Sequence, residues 1–373
     1  MSRQRELGTT VNDISIAGFP HIYIQGPGAL ERLPGCIQDI APGGRVAIVA
    51  DPIVVARFGE IAGRLREAGC QAIVLPFGGE CTRAEIGRLA GLAGSSAPDV
   101  VVGAGGGKAL DTAKGVALEL GSMMIIAPTI ASSDAPTSRL IAIYDEHHRI
   151  AETPSLKRNP HAVIVDTTIL AAAPRRFLAA GIGDALTKKY EVASTIRSGR
   201  LNYFGGRPPA LAGVLADRCY EVIRADAIEA LAVAGTGSPN AAFERVVEAC
   251  ILYSGLSFES GGLSIAHAIL RGLGPFPETD RYLHGEVVTY GTLLQLASMG
   301  NDDAEILDLI PFCRAVGLPT RLAELGVKEV DDGKLALMAE PISRVPYVIH
   351  NDPPISMEMI VAGAKRLERL AAL

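Results

Sequence analysis

At 373 residues, nearly half of them apolar and about a fifth charged, the chain is too long for one ordinary domain and suits two. A net charge of −6 argues against a nucleic-acid surface and gives no sign of an acidic-membrane partner. The six cysteines (Cys36, Cys70, Cys81, Cys219, Cys250, Cys313) form no CxxC pair, the start MSRQRELGTTVND has no apolar core, and no apolar run is of bilayer length. They read as reduced, mostly buried thiols in a soluble, cytoplasmic protein.

A short strand in HIYIQ leads through Gly26-Pro27-Gly28 into a helix. RVAIVAD (45–51) is a continuous apolar strand ending in an acid, and the helix VVARFGEIAGRLREAG closes on Gly69. QAIVLPF and TRAEIGRLAGLAGSSA repeat the strand–helix pair. DVVVGAGGG (99–107) runs straight into the helix KALDTAKGVALEL, and MMIIAPT, LIAIYD and HAVIVD supply further β structure. Short buried strands alternating with helices predict a Rossmann-like parallel sheet covered on both faces. That pattern stops near Asp166, and from Pro174 onward almost every segment has helical periodicity. The expectation is an α/β domain over 1–173, an all-helical domain over 174–373, and a ligand cleft between them.

Gly103-Ala104-Gly105-Gly106-Gly107-Lys108 joins a strand to a helix but is neither a full GxGxxG nor a P-loop. A plain turn needs one glycine; three in a row let backbone N–H groups approach a phosphate at the helix start. Asp51, closing the first strong strand, reads either as a helix-start acid or as an acceptor for an adenosine ribose, which would favour NAD over NADP. Asp111 and Lys114 read as an ordinary surface pair one turn apart.

Two of the seven histidines, His267 and His284, stand at two helical runs joined by a polar loop, so they could converge on one ion. Asp184, in GIGD, reads as an N-cap or as the third member of an Asp-His-His set. Three protein ligands with open positions are the pattern of a catalytic zinc, whereas a structural zinc wants four.

In order, GGGKALDTAK, APTIASSDAPTS, GIGDAL, ESGGLSIAHAI and HGEVVTYGTL closely resemble the glycerol dehydrogenases, the metal-dependent, NAD-linked polyol branch of the group III (iron-containing type) alcohol dehydrogenase superfamily. The resemblance runs from about Tyr23 to IHN at 349–351. It implies a dehydroquinate synthase-like architecture and one divalent metal per subunit, normally zinc, on Asp184, His267 and His284. It implies NAD contacts from Asp51, Gly105, Gly106, Gly107, Lys108, Asp111 and the turn from Thr129 to Ser132, with Ser138, Leu140 and Tyr144 near the nicotinamide. Asp134 is implied to lie close to the substrate hydroxyls, where it could orient one or relay its proton, although in SSDAP it reads equally as an N-cap or Asx-turn acid, and Phe258 is implied to pack near the substrate. The activity implied is oxidation of glycerol, or a related vicinal diol, to dihydroxyacetone by hydride transfer from an alkoxide formed at the metal. A homo-oligomer, often an octamer, is also implied.

The departures are informative. Iron-dependent relatives carry a further histidine ligand where this chain has Lys188, and a second histidine where it has Arg271, which favours three-ligand zinc. Ser133 and Thr137 differ in the substrate-side loop and leave the particular polyol open. On the same fold, a glycerol-1-phosphate dehydrogenase or a dehydroquinate-synthase-like lyase would need converging cations, for which Lys188, Arg139 and Arg271 are the candidates. A non-catalytic NAD-binding protein is disfavoured by the intact ligand set, and a short-chain reductase by the lack of any Tyr-xxx-Lys pair.

Overall fold

The computed structural model describes residues 14–94, 97–146 and 148–373, so the polar leader and two serines of the GLAGSSA segment lie outside the described residues. Among the described residues there are eight strands: β1 (Ile22–Gly26), β2 (Arg45–Ala50), β3 (Gln71–Pro76), β4 (Val100–Gly105), β5 (Met123–Pro128), β6 (Ile143–Tyr144), β7 (Ile150–Glu152) and β8 (Ala162–Asp166). Six form one sheet in the order β1-β8-β5-β4-β2-β3, every neighbouring pair parallel. The pleat explains why these strands read as unbroken apolar runs. Ala47, Val49, Val101 and Ile126 face one hydrophobic cluster, while their neighbours Val46, Ile48, Val102 and Ile125 face the other.

From Arg175 onward every regular element among the described residues is helical. LIAIYD does not join the parallel sheet. Only Ile143 and Tyr144 of that segment form a strand, and they pair antiparallel with β7, beside which Asp145 N–H bonds the Arg149 carbonyl. The helix expected over 241–260 is broken by a π turn at Ala249–Tyr253 before it resumes as Ser254–Gly261. Such turns often sit at functional sites. This one offers the Ile251 carbonyl to the Thr137 hydroxyl at 3.0 Å, fastening the β5–β6 connection to the helices.

All six cysteines are buried and free, as expected. No helix among the described residues is long and apolar enough to cross a membrane.

Candidate metal and cofactor site

Asp184 is not an N-cap. It lies in the middle of the continuous Arg175–Arg197 helix, and the flanking glycines serve close approach rather than helix initiation. A Cβ on Gly181 would overlap the Ala131 carbonyl, and one on Gly183 would overlap the Gly285 carbonyl. This helix therefore sits directly against both the turn after β5 and the start of the His284–Ser298 helix. The Ile265–Gly272 helix carries His267 into the same space.

Asp184 Oδ1 lies 3.4 Å from His267 Nε2 and 3.7 Å from His284 Nε2, and the two imidazole nitrogens are 3.3 Å apart. A four-coordinate tetrahedral ion with bonds of about 2.1 Å spaces its donors about 3.4 Å apart. Adjacent donors of an octahedral ion at that bond length stand only about 3.0 Å apart. At 3.3 to 3.7 Å the three donors stand close enough to share one ion. Asp184 and His267 are buried and His284 is partly exposed, so the site opens on the His284 side.

Glu191 is the residue that sequence reasoning missed. Two turns beyond Asp184 on the same helix, it is fully buried and accepts from His267 Nδ1 at 2.7 Å and from the backbone N–H groups of Ser264 and His267 at 2.8 and 3.1 Å. Holding the proton on Nδ1 leaves the Nε2 lone pair free for an ion. Burial opposes ionisation of His267, but the Glu191 and Asp184 carboxylates outweigh it and lift the ring to about 9, so an ion taking Nε2 would displace a proton from it. Burial likewise opposes the charge on Asp184, yet Lys188 and the two histidines hold that carboxyl well below its usual range. Glu191→Gln is expected to weaken zinc affinity by about 10–100-fold with little change in melting temperature of the metal-loaded form. Competition against a chromophoric chelator measures it, and an unchanged affinity would remove Glu191 from the site.

Asp134 is buried on the loop after β5. Its backbone N–H donates to Asp184 Oδ2 at 3.2 Å, and its Oδ2 lies 3.0 Å from Lys188 Nζ and 3.4 Å from the Ser254 hydroxyl. Phe258 is buried with its ring edge-on to Tyr203 at 4.9 Å, and Lys188 Nζ is 5.7 Å from the Phe258 centroid. Both expected substrate-side residues therefore adjoin the ligand triangle.

The expected cofactor residues gather at the carboxyl ends of β2, β4 and β5. Gly105 adopts φ +150°, and a Cβ there would press on Ala109 at 2.8 Å and Asp51 at 3.0 Å. One on Gly106 would meet Ile130 at 2.7 Å. One on Gly107 would find only ordinary contacts, with Ser133 at 3.5 Å and Ala135 at 3.9 Å, so packing does not demand that glycine. The Gly107–Leu120 helix has no side-chain cap, so the N–H groups of its first turn have no capping acceptor and could serve an anion. Thr129 N–H bonds the Gly105 carbonyl at 3.0 Å, placing the Thr129–Ser132 turn beside the glycines. Asp51 accepts from Ile53 N–H at 3.0 Å in the turn before the Val55–Glu67 helix, whose N-cap is Val54, so it does not cap that helix. Lys108 leans away to Glu80 at 2.6 Å and over the Tyr144 ring at 5.1 Å.

Asp111 and Lys114 are not a surface pair. Lys114 is completely buried and donates to Asp111 at 2.9 Å and to the carbonyls of Ala135 and Leu140 at 2.7 and 3.0 Å. Asp111 also accepts from Ala142 N–H at 2.9 Å. Ser138 accepts from Leu140 N–H at 2.9 Å on the loop so anchored.

The three cations that a phosphorylated substrate would need do not converge. Lys188 is held by two carboxylates, Arg139 pairs with Glu259 at 3.2 Å, and Arg271 donates to the Ile150 carbonyl at 3.1 Å. A cavity of about 460 Å³ at the amino ends of the strands is lined by Arg139, His21, Lys157 and His161 but by none of the residues expected to hold metal, cofactor or polyol.

The family model for iron-containing alcohol dehydrogenases matches residues 20–167. The chain is 41% identical to a glycerol dehydrogenase of Escherichia coli over 90% of its length and 91% of that protein. It is 39% identical to a glycolaldehyde reductase of Halobacterium salinarum over 91% of its length and 93% of that protein. Among solved structures, a probable glycerol dehydrogenase from Sinorhizobium meliloti superposes with a TM-score of 0.89 at 38% identity, covering 96% of this chain and 99% of that one.

Proposed function

The chain belongs to the iron-containing alcohol dehydrogenase family, in its glycerol dehydrogenase branch, and from that premise we propose that it oxidises glycerol with NAD to dihydroxyacetone, NADH and a proton, using zinc held by Asp184, His267 and His284. The observation that supports a metal here is the donor triangle of 3.3, 3.4 and 3.7 Å, and the choice of zinc rests on the three-ligand set, with Lys188 where iron-dependent relatives carry a further histidine.

When bound, zinc supplies the Lewis acidity that eases loss of a hydroxyl proton, and NAD the acceptor for the hydride. The residues supply position. Gly105, Gly106 and Gly107 with the uncapped helix start cradle the pyrophosphate, and Asp51 receives the ribose hydroxyls. Lys108, Asp111, Thr129, Ser132, Ser138, Leu140 and Tyr144 complete that wall, Asp111 from behind the loop. Asp134, anchored by Lys188, orients a substrate hydroxyl, while Phe258 keeps water from the reacting carbon. Glu191 fixes the His267 ring. We assign residues 1–173 to cofactor binding and 174–373 to metal and substrate, in a cytoplasmic homo-oligomer, an octamer by resemblance. The similarity to a glycolaldehyde reductase makes other small vicinal hydroxy compounds the first alternatives to test.

NADH formation from glycerol is expected to fall to background after chelation and to return on adding zinc back. A full rate from metal-stripped protein would overturn the assignment. Requirement for a phosphorylated substrate would instead favour the glycerol-1-phosphate or dehydroquinate-synthase-like reading.

A further inference from the structure

Lys188 is the least expected group at this site. It is completely buried one turn beyond Asp184, its ammonium 2.7 Å from Asp184 Oδ1, 3.0 Å from Asp134 Oδ2 and 3.5 Å from His267 Nε2. A positive group thus stands at donor distance from two corners of the metal triangle, on an oxygen that the ion itself needs. A buried ammonium is tolerated only where carboxylates compensate it, and here two do so from different halves of the chain.

We propose that Lys188 is the site's resident cation: with no metal bound it neutralises Asp184 and Asp134 together, and when the ion takes Asp184 Oδ1 the ammonium is carried by Asp134. This rests on the assignment of the metal to Asp184, His267 and His284. Two consequences follow from charge alone. Without Lys188 the metal-free site loses the ammonium shared by Asp184 and Asp134, leaving Asp134 without its cation and Asp184 with the histidines alone, and it loses stability. The incoming ion meets more negative charge and one competitor fewer, so it binds more tightly. Lys188 therefore trades metal affinity for a folded, preformed empty site. Because it also anchors Asp134, it acts as a positioning residue for the substrate-side acid.

The test uses Lys188→Met, which removes the charge and keeps the length, and Lys188→Gln, which keeps a hydrogen-bond donor and carries the test should the first not fold. Wild type and variants, stripped by chelation, are titrated with zinc, and melting is followed with and without saturating zinc. The expected result is a zinc Kd at least tenfold tighter in the variants. The metal-free melting temperature drops while the zinc-loaded one moves far less, so the zinc-induced rise widens. An unchanged Kd, or an equal fall in melting temperature with and without zinc, would mean an ordinary salt bridge and overturn the proposal. A weaker Kd would make the lysine a helper or ligand and overturn it as well. His267→Ala in the same titration separates the two readings. Zinc binding that survives His267→Ala sinks the ligand assignment; binding lost there, with Lys188 variants no tighter than wild type, sinks only the inference about Lys188.

Discussion

Asp184→Asn is expected to lose bound zinc and to lower kcat/KM for glycerol by at least about 10³-fold, since Lewis-acid activation supplies several kcal/mol of the barrier reduction. The change is nearly isosteric, so what it removes is charge. The amide oxygen can still accept from Asp134 N–H, 3.2 Å from Oδ2 in the wild type. It cannot provide the anionic corner of the donor triangle, and its NH₂ group would face the Lys188 ammonium that now lies 2.7 Å from Oδ1. Lys188 keeps Asp134 as a partner at 3.0 Å, so the fold is expected to survive. NAD affinity should stay within about threefold of wild type, because the glycine cradle lies on the other half of the chain. Metal content by mass spectrometry, NADH production and NAD titration together check it. A variant that keeps its zinc and a rate within tenfold of wild type would remove Asp184 from the metal site.

The metal triangle was legible because its residues are scarce and its neighbours distinctive. His267 and His284 are two of seven histidines, and the glycines beside Asp184 and His284 mark places where backbones touch. The same glycines misled the local reading. A Gly-Ile-Gly-Asp run looks like a helix start, yet it lies inside a helix of 23 residues because close packing, not chain reversal, required the missing Cβ atoms. Glu191 was illegible for a different reason. An acid seven positions after another on one helix has the pattern of a solvated face, and only the fold brings Ser264 and His267 over it. The expected β structure in LIAIYD shrinks to the two residues of β6, because only Ile143 and Tyr144 of that apolar run pair with β7.

The surface pair that proved buried gives the second large effect. Lys114→Met should destabilise the protein by about 3–5 kcal/mol, because removing one partner of a buried ion pair strands the other. All three ammonium protons are used, on Asp111, Ala135 and Leu140, so the variant leaves one carboxylate and two carbonyls short of a donor. An i,i+3 acid–base pair belongs on a helix exterior, but Ala109, Leu110, Ala113, Val116 and Ala117 are buried too, so this helix has core on nearly every side. The melting temperature is expected to fall by on the order of 10 °C. The functional damage should be selective. The released loop carries Ser138 and Leu140, so KM for NAD should rise, whereas Asp134 has its own anchors in Lys188 and Asp184 and zinc affinity should hold. Asp111→Asn combined with Lys114→Met removes the stranded charge and should recover more than half of the lost stability. A single variant that melts within about 2 °C of wild type with unchanged KM for NAD would show that the loop is held by packing, with the buried pair contributing little.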